Sequence, residues 1–231
     1  MDWETFWNEH PSSVGETDFL TQVGHTIGGR PYSDAEFDAM VDSIRMGLGL
    51  TQDAALLDVC CGNGVVTARL ARHCASVLGI DFSKTLIDIA NRHNMYGNLA
   101  YLVVDAIALS QADLGGRGPF DRISMYAALQ HFAEDSLETL LGGMLRHAKP
   151  DAMIFIGGIL DASRKLAFLD TPEKRALYEQ YRAEGRDRLG TWWDPGRLVS
   201  ACRGLGLSCA IDQTSPGRPG GHYRFDAAIR A

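Results

Sequence analysis

No run of apolar residues in this 231-residue chain approaches the roughly 20 that a bilayer-crossing helix requires. The start, MDWETFWNEHPSS, has no basic segment followed by an apolar stretch, so a soluble, unexported, cytoplasmic protein is expected. Basic residues are outnumbered, 22 Lys and Arg against 29 Asp and Glu. The formal charge of -7 argues against a surface built to neutralise the phosphates of a long nucleic acid. Cysteines are few and odd in number, five without C-x-x-C spacing, which points to reduced thiols rather than a disulfide framework. Adjacent Cys60 and Cys61 are poorly placed to clasp one zinc, and no metal is expected. Internal repeats, low-complexity tracts and interdomain linkers are missing as well. What remains is an ordinary globular composition, 45% hydrophobic and 22% charged, long enough for one core with an appended cap.

Five short apolar runs, ALLDVC, SVLGID, LAYLVVDA, DRISMYA and AMIFIGGIL, are rich in Val, Ile, Leu and aromatics and bounded by turn or acidic residues, as buried strands are. Between them lie the helical stretches VVTARLARHC, SKTLIDIANRHN and LETLLGGMLRHA. This alternation predicts an α/β, doubly wound, mostly parallel sheet. A helix precedes the first strand: Ser33 and Glu36 stand in capping-box spacing, and Phe37, Met40, Val41 and Ile44 share a face that ends near Gly47 or Gly49. The first 32 residues mix aromatics with turn formers without sustained period and are expected to form a cap. After the fifth strand, residues 161–195 form an insertion whose helix starts at TPEK, with Thr as N-cap and Pro at the first helical position. Residues 196–231 add a helix around DPGRLVSACRGL, a strand around LSCAID, the turn-forming SPGRPGG and a last strand in HYRFDAAIRA. A closing antiparallel hairpin and seven strands in total follow.

In LLDVCCGNGVVTARLA, Gly62 and Gly64 occupy the turn between a strand and a helix, where missing side chains let backbone approach a ligand at the helix N-terminus. About 20 residues later Asp81 closes the second strand, from where a carboxylate can accept both hydrogen bonds of a ribose diol. A dinucleotide-dependent dehydrogenase would carry a third glycine where this chain has Thr67, and an apolar residue where it has Asp58. That reading is weakened accordingly.

These residues resemble the class I S-adenosylmethionine-dependent methyltransferases. LLDVCCGNG looks like the family's first motif, with Cys60 where many members carry the first glycine. Asp81 in VLGID matches the ribose-binding acid, and Asp105 in VVDA the acid facing the adenine amino group. FDRISMYAALQHF matches the fourth strand and following loop, and HAKPDAMIFIGG the turn before the fifth strand. The likeness covers roughly residues 50 to 160. It implies a Rossmann-like fold, S-adenosyl-L-methionine as cofactor with S-adenosyl-L-homocysteine as product, and a site formed by Asp58, Cys60, Gly62, Gly64, Asp81, Phe82, Asp105, Ala106, Tyr126 and Gln130. A cofactor carrying a sulfonium cation, an adenosine and an amino acid wants carboxylates, backbone donors and an apolar slot, and strand ends at the switch point of a parallel sheet supply them.

Methyl transfer is an in-line displacement, so protein groups mainly align the reactants and supply a base where the nucleophile is a hydroxyl or protonated amine. His131, just past the fourth strand, is the best-placed base; His25 in QVGHTIGGRPYS and His222 in GGHYRF stand beside turns that can fold over a substrate. The competing reading is a backbone-bonded helix-start histidine for His131 and surface histidines for the other two. Tyr32, Trp193 and Tyr223 are candidates to line a small-molecule pocket, and Arg224 to hold a carboxylate or phosphate as a planar fork. The carboxylate cluster of metal-dependent catechol-type methylation is missing after the fourth strand. The acidic charge and the lack of an appended nucleic-acid- or protein-binding module point to a small-molecule acceptor, methylated on oxygen, and the HYRFD and QVGHT segments resemble those of methyltransferases from polysaccharide and natural-product pathways. Nitrogen methylation, an RNA or protein substrate and a non-catalytic nucleoside-binding module remain the alternatives, and the oligomeric state stays open.

Overall fold

Each strand of the central sheet forms where an apolar run is long enough to be covered on both faces. The computed structural model describes residues 1–212 and 219–230. Its sheet comprises β1 (Ala55–Val59), β2 (Ser76–Asp81), β3 (Leu99–Val103), β4 (Phe120–Tyr126), β5 (Ala148–Leu160), β6 (Ser208–Asp212) and β7 (Arg224–Arg230). The spatial order is 3-2-1-4-5-7-6; β1 to β5 run parallel, and β7 pairs antiparallel with both β5 and β6. The expected seven strands and closing antiparallel pair are therefore present. Of the SPGRPGG turn, residues 215–218 lie outside the described residues.

Two apolar layers flank the sheet because neighbouring side chains on a strand point to opposite faces. Leu56 joins Phe37, Met40 and Ile44 of α3 (Asp34–Leu48), with Leu70 of α4 (Val65–Leu70) and Ile87 of α5 (Lys84–His93). Leu57 and Val59 pack on the other side with Leu140 and Met144 of α6 (Leu137–Arg146) and Leu198 of α9 (Pro195–Gly204). The Ser33/Glu36 capping box forms as the spacing predicts, and α3 closes on Gly49 in the left-handed conformation. Gly47 stays inside the helix, where a Cβ would meet the Phe155 ring at 2.3 Å; the glycine lets α3 lie against the sheet.

The N-terminal segment is more ordered than its composition suggests. Asp2 caps α1 (Trp3–Ser13), accepting from the Thr5 amide, and α2 (Phe19–Gln22) follows. Trp3, Phe6, Trp7 and His10 fall at i, i+3, i+4 and i+7, one face of a helix, and their rings contact each other in sequence. Beyond β5 the chain runs through α7 (Lys165–Phe168) and α8 (Pro172–Ala183), the latter capped by Thr171 as expected. It returns to the sheet through a bridge between Asp161 and Trp193. No helix among the described residues is long and apolar enough to cross a membrane.

Candidate active site

The strand order reverses between β1 and β4, and a crevice opens at the carboxyl ends of parallel strands at such a point. Here it is a cleft with about 740 Å³ of empty space, part of it open to solvent. Its walls include Asp58 and Cys60 at the end of β1, Gly62 in the following turn, Asp81 and Phe82 after β2, and Tyr126 at the end of β4. His25 and His131 face it from the two sides.

Both strand-end acids are nearly buried, Asp58 at 5% and Asp81 at 6% exposure. Asp58 accepts from Thr67 Oγ1 (2.6 Å) and Ser124 Oγ (2.7 Å), which ties β1 to α4 and β4 beneath the turn. Burial nevertheless holds its carboxyl above the ordinary range. Asp81 accepts from the amides of Gly62 (3.0 Å) and Ser83 (2.9 Å), yet burial pushes its pKa up to about 6. A carboxylate keeps unused lone pairs after two such bonds, so Asp81 remains able to receive hydroxyl donors from the cleft.

The glycine-rich turn is shaped by close approaches. Gly62 and Gly64 are left-handed; a Cβ on Gly62 would stand 2.9 Å from Val23 Cγ1, and one on Gly64 2.2 Å from the Tyr101 hydroxyl. Cys60 is also left-handed, at φ 58, which explains why glycine suits this position and marks local strain in this chain. Burial pushes the Cys60 and Cys61 thiols well up, so both are poor nucleophiles. Cys60→Gly is expected to raise the unfolding free energy by up to about 1 kcal/mol, relief of strain exceeding the lost packing of a small side chain. Urea melts measure this, and a lower midpoint would mean that the thiol's contacts dominate.

Sequence reasoning missed how the N-terminal segment closes over the cleft. Trp7 and Val23 belong to the walls. Asn63, fully buried in the glycine turn, donates to the Phe19 carbonyl and to Gln22 Oε1, both at 2.9 Å, and Ser83 Oγ donates to the Trp7 carbonyl at 2.9 Å. The aromatic stripe at 3, 6, 7 and 10 is the signal that could have revealed α1.

His131 sits on a short turn, Leu129–His131, after β4. Its ring lies 4.3 Å from that of Trp3 and 5.4 Å from that of Trp7. Its Nδ1 is buried with no hydrogen-bond partner among the described residues. Burial, with the Arg224 charge adding to it, lowers its pKa to about 3, so the imidazole is neutral and offers an acceptor. Burial and Arg224 likewise lower His25, to about 4; its ring stacks on Tyr32 at 5.7 Å. Arg224 reaches the loop from β7, donating to the Gly158 carbonyl and to Gln130 Oε1 (3.3 Å).

Other candidates lie at or beyond the margin. Gln130 is buried and its carbonyl accepts from the Thr191 amide at 2.8 Å. Asp105 is exposed and caps the turn that begins at Ala106, accepting from the Ile107 amide. Tyr223 packs on Phe168, and His222 is exposed beside it. Trp193, expected to line a substrate pocket, is instead fully buried, its indole N–H donating to the Leu129 carbonyl at 3.1 Å. Its position two residues after Thr191 makes it an anchor: Thr191 Oγ1 also donates to the Phe132 carbonyl, and the segment clamps the His131 turn. Among the described residues no group of three or more His, Cys, Asp and Glu is placed to hold a metal ion.

Known proteins share the fold and part of the sequence. Residues 56–151 match a family described as methyltransferase domain. A ubiquinone biosynthesis O-methyltransferase from Mesorhizobium japonicum is 29% identical over 160 residues, 69% of this chain and 61% of that protein. Its counterpart from Methylococcus capsulatus is 33% identical over 101 residues, 43% of this chain and 40% of that protein. The chain thus spans about three fifths or less of the length of these curated relatives. Among solved structures, the N-methyltransferase NodS of Bradyrhizobium japonicum in complex with S-adenosyl-L-homocysteine superposes with a TM-score of 0.67 at 15% identity, covering 100% of this chain and 98% of that one. The DhpI-SAM-HEP complex gives 0.66 at 18% identity, covering 98% and 95%. The fold is the Rossmann-like seven-stranded one that these structures share.

Proposed function

We propose that this chain, whose residues 56–151 match a family described as methyltransferase domain, is a class I methyltransferase that transfers a methyl group from S-adenosylmethionine to an oxygen of a small-molecule acceptor. The observation that carries the reading is the pairing, in one cleft, of a buried strand-end carboxylate, Asp81, with a neutral imidazole whose Nδ1 has no partner among the described residues, His131. The names of the O-methyltransferase relatives support oxygen over nitrogen.

The cleft suits the cofactor on its own chemistry: glycines without room for a Cβ, carboxylates with spare lone pairs, and walls of Val23, Val65, Val66, Phe82 and Leu86 for an apolar ring. When bound, S-adenosylmethionine supplies an electrophilic methyl group on a sulfonium. Asp81 would hold the ribose hydroxyls, Phe82 would pack on the adenosine, and Asp58 would keep the turn in register through Thr67 and Ser124. His131 Nδ1 would accept the acceptor's hydroxyl proton as that oxygen loses electron density, and the clamp from Thr191 would hold the ring at the required angle. Trp3 and Trp7 would exclude water from the same face.

Isothermal titration tests the cofactor. S-adenosylmethionine and S-adenosylhomocysteine should bind at micromolar concentration and NAD should not; binding of neither would overturn the catalytic reading. The affinity should also follow pH. Asp81 ionises in the free protein near pH 6, and only the carboxylate accepts two hydroxyl donors. Affinity for S-adenosylhomocysteine should therefore be level above that pH and fall about tenfold per unit below it. His25 and His131 stay neutral down to about 4 and 3, so neither titrates in this window. Constant affinity from about pH 5 to pH 8 would remove Asp81 from the site.

A further inference from the structure

A second, larger cavity, open and of about 1140 Å³, lies between α8 and the start of the chain. Its walls combine apolar surface from Phe168, Leu177 and Tyr178 with the cations Lys174, Arg186 and Arg188 and one carboxylate, Asp187, which is turned to the chain and accepts from the Leu189 amide at 2.8 Å. Two of these cations are answered locally: Lys174 pairs with Asp170 and Arg186 with Glu184, each at 2.7 Å. Arg188 has no carboxylate partner among the described residues; its guanidinium stands 5.2 Å from the centre of the Phe6 ring. A further donor lies close by. The Trp192 indole N–H is buried with no acceptor among the described residues, and its ring leans on that of Phe168 at 6.1 Å.

This cavity is joined to the cleft by shared structure. Met1 lines the cavity and Trp7 the cleft, and α1 begins between them. Between them stands Trp3, in ring contact with His131 and close to Gly190, where a Cβ would lie 3.2 Å from Trp3 Cζ2. Leu189 of the cavity wall adjoins that glycine. Trp3 is thus the partition between the two spaces, and an elongated molecule seated against α8 would have one end at Trp3, whose ring contacts that of His131.

We propose that this cavity is the acceptor subsite and takes a molecule with an apolar body and one anionic group, a carboxylate or phosphate, the anion meeting Arg188. The assignment as acceptor subsite rests on the methyltransferase reading; the cavity's preference for an apolar anion does not. Apolar walls select the body by burial, and an exposed cation without a carboxylate partner selects the charge at little desolvation cost.

The probes are octanoate, octanol and octyltrimethylammonium, titrated calorimetrically into the full chain with and without saturating S-adenosylhomocysteine. One octanoate should bind per chain in either condition, and the neutral and cationic analogues should bind at least about tenfold more weakly. Arg188→Glu should weaken octanoate about tenfold or more, and Leu177→Asp similarly, with the affinity for S-adenosylhomocysteine unchanged in both. Failure of octanoate to bind, equal binding of octanol, displacement by S-adenosylhomocysteine or indifference to both substitutions would each overturn the proposal. If octanoate binds in an Arg188-dependent way while S-adenosylhomocysteine does not bind at all, the anion preference stands and the methyltransferase reading, with the acceptor role, falls.

Discussion

Replacing His131 with Ala is expected to lower kcat by roughly 10²-fold, the low end for a positioned general base, because a pKa of about 3 makes the imidazole a weak proton acceptor. Affinity for S-adenosylhomocysteine should stay within about threefold. The split follows from where the contacts lie: Asp81 and the glycine turn carry the cofactor, whereas His131 offers a single buried nitrogen with no hydrogen-bond partner among the described residues. Its ring also supports Trp3 and Trp7, so Ala alone confounds chemistry with packing. His131→Phe keeps an aromatic ring and removes the nitrogen. Full activity in that variant would end the general-base reading, and equal loss of turnover and cofactor affinity would make the ring structural. A kcat loss in both variants at constant affinity is the expected pattern.

Gly64→Ala should damage stability and cofactor binding together. The new Cβ would stand 2.2 Å from the Tyr101 oxygen and 2.5 Å from its Cζ, in a left-handed conformation that favours glycine. Tyr101 has no slack, since its hydroxyl donates to the carbonyl of Asn94 at 2.7 Å and also lies 3.2 Å from that of Gly64. Strain and overpacking each cost about 1–3 kcal/mol, which together lower the Tm of a chain this size by roughly 4–24 °C. Relief requires the turn to move, and the turn carries the Gly62 amide that holds Asp81. Binding of S-adenosylhomocysteine should therefore weaken by more than about tenfold even at temperatures where the variant is folded. A thermal melt with a parallel titration checks both, and an unchanged Tm would show that Tyr101 yields easily.

Local rules carried far in this protein because its elements announce themselves within a few residues. Ser33 and Glu36 cap α3, Thr171 caps α8, and Gly62 and Gly64 turn the chain after β1. Each depends on backbone geometry that a short stretch determines alone. The same rules missed α1 although Trp3, Phe6, Trp7 and His10 have helical spacing, because the Pro11 and serine residues that follow look like the end of something too short to stand alone. Such a helix is stabilised by what it covers, here the Ser83 hydroxyl and the His131 ring.

By itself, then, the order of the apolar runs and the acids that end them determined the sheet, its switch point and the positions of Asp58, Asp81 and Tyr126 at the rim, since strand polarity follows from chain order in a parallel sheet. Only the tertiary structure decided which of the outlying residues matter. His25, His131 and Arg224 converge from distant parts of the chain, Trp193 turns inward to brace the loop that its neighbour clamps, and Trp3 separates the cleft from a second cavity. These outcomes depend on burial and on contacts between segments far apart in sequence, and no local pattern of residues encodes them.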